Sequence, residues 1–97
     1  MRWPFDGLRI EWDEEKNLEL IRTRGLSFQD VELAIENDSN VLDVVPHFNQ
    51  TTYPGQMVLL MRMSGYVWVV PFVTDEEKVF FKTAYKSRRF NRLFIIK

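Results

Sequence analysis

The sequence predicts one α+β domain, with two N-terminal helices packed on an antiparallel sheet. Three observations predict it. Apolar residues make up 45% of the 97 positions, enough for a single core and too many for a disordered chain. Helical spacing with recognisable caps is confined to residues 13–36, and strand-like runs bounded by turn residues fill the chain from Val41 onward. Helices come first and strands after, without the alternation that a doubly wound parallel sheet requires. The expected order is β-α-α-β-β-β-β over residues 1–97, with an N-terminal extension at 1–7 and an apolar tail at 93–97.

Leu8 to Trp12 reads as a short strand with Leu8, Ile10 and Trp12 on one face. Asp13 is a good N-cap, and Glu14 and Glu15 suit the positive end of the helix that follows. Leu18 and Ile21 sit three apart on one face of it, and Gly25 ends it after Arg22 and Arg24. Ser27 opens a second helix, with Asp30 completing a variant capping box and Phe28, Val31, Ala34 and Ile35 on one side. The run Asn37-Asp38-Ser39-Asn40 stops it.

Val41 to Val45 is then a strand that ends at Pro46, and His47 to Gln56 is a polar loop. Met57 to Met63 and Tyr66 to Val73 form a hairpin around Ser64-Gly65, apolar on two faces as central strands are. Pro71 lacks an N–H and marks a bulge or the strand's end. After a turn at Thr74 to Glu77 comes a strand from Val79 to Tyr85, and Lys86 to Lys97 is a helix or a tail.

Charge is distributed unevenly. Net charge is -1, yet Met1 to Asp38 holds ten acidic and five basic residues, whereas Lys78 to Lys97 holds seven basic residues and no acidic one. A segment of one sign suits phosphate or an acidic partner, or is simply a solvated face. The chain has no cysteine and one histidine, which excludes disulfides, thiolate chemistry and an ordinary zinc site. Its four glycines are scattered and make no nucleotide-binding loop, so no cofactor is expected. No apolar run has the roughly 18 residues of a membrane span. The first residues carry no apolar signal core, so the expectation is a cytoplasmic protein.

The last strand holds the main candidates. If it alternates regularly, Val79, Phe81, Thr83 and Tyr85 face the core and Lys78, Phe80, Lys82, Ala84 and Lys86 face outward. Lysines interleaved with an aromatic suit single-stranded nucleic acid, since phosphates pair with cations and bases stack. They also suit a soluble sheet edge. His47 can serve as a general base near neutral pH or be an ordinary surface residue. Tyr53 in the same loop can donate a proton, stack on a base, or only pack.

Several short motifs resemble one family in order and spacing. Glu11-Trp12-Asp13-Glu14-Glu15-Lys16-Asn17 resembles the strand-to-helix opening of BrnT-like toxins, where Trp-Asp is followed three residues later by Lys and often Asn. Gly25-Leu26-Ser27-Phe28 is similar to that family's link into its second helix. Gly65-Tyr66-Val67 and Lys86-Ser87-Arg88-Arg89 resemble its final strands and their basic end. The resemblance spans about Leu8 to Arg92. It departs in the long Asn/Gln-containing loop at 47–56 and in the apolar residues Leu93-Phe94-Ile95-Ile96.

The resemblance implies a RelE-like fold and the toxin of a type II toxin–antitoxin pair, a ribonuclease whose partner is a small DNA-binding antitoxin. It implies metal-independent cleavage, in which the RNA's own 2′-hydroxyl attacks the adjacent phosphorus. The protein's tasks are then to position the phosphate, move a proton and stabilise charge. Arg88 and Arg89 match the family's basic pair and are expected to stabilise that charge. His47 is the candidate base, with Lys78, Lys82, Lys86 and Tyr53 as RNA-binding residues. The competing expectation is a non-catalytic protein-binding module of the same fold, which the apolar tail favours if it docks on a partner instead of packing on its own core.

Overall fold

The computed structural model describes residues 2–94. Strand β1 (Arg9–Trp12) leads into helix α1 (Glu14–Arg24) and helix α2 (Phe28–Ile35). A 3₁₀ turn at Asp38–Asn40 precedes β2 (Val41–Pro46), β3 (Met57–Met63), β4 (Tyr66–Thr74), β5 (Lys78–Phe81), β6 (Tyr85–Lys86) and helix α3 (Arg88–Phe94). The class is α+β, with helices before the main run of strands.

The caps act as their chemistry dictates. The Asp13 carboxylate accepts the Glu15 N–H at 2.9 Å, and Gly25 ends α1 in the left-handed conformation at φ 67. Ser27 and Asp30 form a reciprocal capping box at the start of α2. Ser64 and Gly65 both have positive φ (53 and 73), as the two-residue turn joining right-twisted strands β3 and β4 requires.

The sheet order is β1-β5-β4-β3-β2, with β6 also on β4. It is mixed instead of wholly antiparallel, because β1 pairs in parallel with β5. On one face, α1 and α2 cover Leu59, Met61, Trp68, Val70, Phe72, Val79 and Phe81 through Leu20, Phe28, Val31 and Ile35. On the other, Val58, Leu60 and Val69 pack with Leu42, Val45, Tyr85 and Phe90 of α3. Residues Lys86 to Phe94 thus begin as strand and end as helix, and Ile95, Ile96 and Lys97 of the expected tail lie outside the described residues.

Within the N-terminal extension Trp3 is buried, and its ring, that of Phe5 and that of Phe72 meet edge-on at 5.2–5.7 Å. Two expectations need correction. Leu18 and Ile21 are not the buried stripe of α1; they are 60% and 48% exposed, and Asn17 and Leu20 face inward. Asn17 can be buried because every polar atom of its amide is used. Its Oδ1 accepts the Phe28 N–H at 2.7 Å, and its Nδ2 donates to Gln29 at 2.8 Å and Glu14 at 3.2 Å.

The other concerns the strand expected from Val79 to Tyr85, which is broken. Phe81 pairs with Phe72 and Tyr85 with Val69, so residues 82–84 stand opposite only Val70 and Pro71. The extra residue is a bulge, and Pro71 explains its place. The Lys82 N–H donates to the Pro71 carbonyl at 2.8 Å, so the side of Pro71 that lacks an N–H faces this segment. Arg24, from the end of α1, donates to the Ala84 carbonyl and to Thr83 and holds the bulge in place. One extra residue inverts the alternation. Ala84 is therefore buried and Tyr85 joins the α3 side, whereas Thr83 and Tyr85 were expected on the core face with Ala84 outside.

Candidate nucleic-acid interface

The bulge separates the lysines. Lys78 and Lys82 share the α3 face of the sheet with Phe80, and the Lys82 ammonium lies 5.5 Å from the Phe80 ring. Lys78 is occupied by Glu11, its ammonium 3.5 Å from the carboxylate. Lys86 pairs with Trp68 and lies on the opposite face, over the rings of Tyr66 (5.3 Å) and Trp68 (5.8 Å). The three lysines therefore do not form one outward row. Lys82, Lys86, Arg88 and Arg89 form no ion pair with a carboxylate among the described residues.

A cleft of about 290 Å³ on the α3 side brings together His47, Tyr53, Gln56, Pro71, Lys82, Thr83 and Tyr85. The polar loop folds over itself to place its two candidate rings. The His47 N–H donates to the Gln56 carbonyl at 2.9 Å, and the Gln50 amide donates to the His47 and Gln56 carbonyls. The Tyr53 ring lies 4.5 Å from the His47 ring. The opposite wall comes from the bulge, which supplies Lys82, Thr83 and the inverted Tyr85. Burial pushes the Tyr85 phenol above its ordinary range and the neighbouring Tyr53 adds to the shift, with Arg24 opposing it, so Tyr85 remains a hydrogen-bond donor.

His47 Nδ1 accepts the Asn49 backbone N–H at 3.0 Å. In the neutral ring the proton then sits on Nε2, which makes that atom a donor. The cleft thus offers an imidazole N–H, two phenols, an amide, a hydroxyl and an ammonium, and no carboxylate lines it. Such a lining suits an anion with several oxygens. Among the described residues no group of three metal-ligating side chains comes together.

Arg88 and Arg89 do not line this cleft. They begin α3, where Ser87 Oγ accepts the Phe90 N–H at 3.2 Å and Asn91 fixes the helix by accepting the Val67 N–H at 3.1 Å. A chain of rings links Arg89 to the loop: its guanidinium lies over Phe90 (5.5 Å), Phe90 stacks on Phe48 (5.4 Å), and Phe48 meets His47 (5.4 Å). Of the expected residues, His47, Tyr53 and Lys82 converge; Arg88 and Arg89 flank them, and Lys78 and Lys86 lie apart.

Tyr85, Thr83 and Gln56 were not expected here. The Pro71 signal could have revealed Tyr85, since a bulge opposite that proline inverts every later residue. Nothing local marks Gln56.

Comparison with protein-family models, with curated proteins and with solved structures brings no match. No described helix is long and apolar enough to cross a membrane.

Proposed function

We propose that the protein is a metal-independent endoribonuclease, the BrnT-like toxin of a type II toxin–antitoxin pair on a RelE-like fold, acting in the cytoplasm. The observation that carries this reading is the cleft itself, where His47, Tyr53, Lys82 and Tyr85 converge without a carboxylate. Lys82 holds the scissile phosphate, and the two phenols donate to its non-bridging oxygens. The 2′-oxygen attacks phosphorus and its proton passes to water, the departing 5′-oxygen takes a proton from water, and the His47 Nε2–H donates a hydrogen bond to the charge that develops on the phosphoryl oxygens. His47 is thereby a hydrogen-bond donor in this scheme, where its residue type alone suggested a base. Arg88 and Arg89 steer neighbouring phosphates instead of touching the reacting one. A small DNA-binding antitoxin is the expected partner.

The test is incubation of single-stranded RNA with the purified protein in excess chelator. Expected products end in a 2′,3′-cyclic phosphate and a 5′-hydroxyl, and His47→Ala slows cleavage by about 10²–10³, the usual value of one donor aimed at developing charge. An inactive wild type, or a His47→Ala variant as fast as wild type, refutes the reading. A second reading, a non-catalytic protein-binding module, is favoured by the exposed Leu18 and Ile21 on α1. It predicts no cleavage and loss of a protein partner on Leu18→Glu.

A further inference from the structure

A second cleft, of about 450 Å³, opens on the opposite side of the same sheet edge, lined by Thr23, Arg24, Trp68, Tyr85 and Lys86. Two of its lining residues are cationic and none is acidic. Arg24 uses one terminal nitrogen to hold Thr83 and the Ala84 carbonyl, which leaves the rest of its donor fork without an acceptor among the described residues. Trp68 is 3% exposed, and its indole N–H is a buried donor with no hydrogen-bond partner among the described residues. Such a donor is costly to leave unpaired, and native proteins leave few of them. An oxyanion in this cleft would meet two cations beside that indole.

The two clefts share Tyr85, which lines both. The bulge that sends Lys82 to one face and Lys86 to the other therefore sets a cation on each side of a single aromatic ridge. We propose that the Arg24–Lys86–Trp68 cleft is a second phosphate subsite, and that a bound single strand crosses the sheet edge over Tyr85 from one cleft to the other. This rests on the RNA reading of the first cleft and adds the path of the chain beyond it. The expected ligand is a single strand of several nucleotides, because a duplex cannot bend around one side chain.

The test uses 2′-O-methyl oligouridylates of two and eight nucleotides, which bind without being cut. Lys86→Gln should weaken the octamer about tenfold, as loss of one charge-assisted contact does, and reduce its salt slope by about 0.7. Its effect on the dinucleotide should be smaller, and Lys86→Arg should restore octamer binding. In the wild type, the Trp68 indole N–H resonance, assigned with Trp68→Phe, should move with the octamer and not with the dinucleotide. Equal losses at both lengths, or an unmoved Trp68 resonance, overturn the subsite. If length-dependent binding is as expected but unmodified RNA is not cut, the enzyme reading alone falls. If neither oligomer binds the wild type, both fall.

Discussion

Replacing Asn17 with alanine tests whether α1 and α2 are joined by a polar pin. In the native protein the Asn17 carbonyl caps the Phe28 N–H, one of the donors that the start of any helix leaves unpaired. Alanine strands this buried donor, at about 1–3 kcal/mol. It also removes the bond to Gln29, worth about 0.5–1.5 kcal/mol net. Alanine's better helix propensity returns about 0.6 kcal/mol. The expected loss is therefore about 1–4 kcal/mol, or a fall in melting temperature of about 4–30 °C for a domain of this size. Thermal denaturation followed by circular dichroism measures it. Gln29→Ala, which removes one bond at the surface and leaves Phe28 capped, should cost under about 1 kcal/mol. If Asn17→Ala melts within about 3 °C of wild type, or if Gln29→Ala costs as much, the pin is not what holds the two helices.

Asn91→Ala strands the Val67 N–H in the same way and should cost about 1–3 kcal/mol. Hydrogen exchange should accelerate across Arg88–Phe94 while α2 keeps its protection; a uniform change would show that Asn91 does not anchor α3 in particular. Asp75 gives a pH dependence. Its carboxylate accepts the backbone N–H groups of Glu77 (2.8 Å) and Lys78 (2.9 Å), which hold it below the usual carboxylate range. A depressed native pKa means stability that is fully present above the unfolded-state value of about 3.9 and is lost as pH falls through the native value. Asp75→Asn keeps an acceptor but not the charge, so its melting temperature should lie below wild type at pH 6 and approach it at pH 2–3. A gap that does not narrow would remove Asp75 from the acid response.

What could be read from the residues was what local chemistry decides. Asp13, Gly25, Ser27 with Asp30, and Ser64-Gly65 act within a turn or two of chain, and each does what its side chain or φ preference requires. The buried face of α1 was not legible. Leu18 and Ile21 are more apolar than Asn17, but Asn17 has partners supplied by another helix, and no periodicity shows a partner. The parallel pairing of β1 was hidden for the same reason, since it joins distant parts of the chain. Pro71 lay between these cases. The proline announced a bulge, but which residues it inverts depends on the register between β4 and the segment after Phe81. That register moved Tyr85 into the first cleft and Lys86 out of it. The approach of His47 to Tyr53 belongs to a short loop; the arrival of Lys82 belongs to the sheet.

The pairing of β1 with β5 also sets an order on synthesis. Arg9–Trp12 leaves the ribosome well before its strand partner among the described residues, Lys78–Phe81. Closing so long a stretch of chain is entropically slow, and the first strand waits as an unpaired edge until it happens. Both clefts take walls from residues 82–86, which follow that partner strand directly. A chain interrupted anywhere before them has neither cleft. On the ribonuclease reading, a nascent or truncated copy is harmless to the RNA that encodes it, and activity begins only when β1 and β5 close the sheet together.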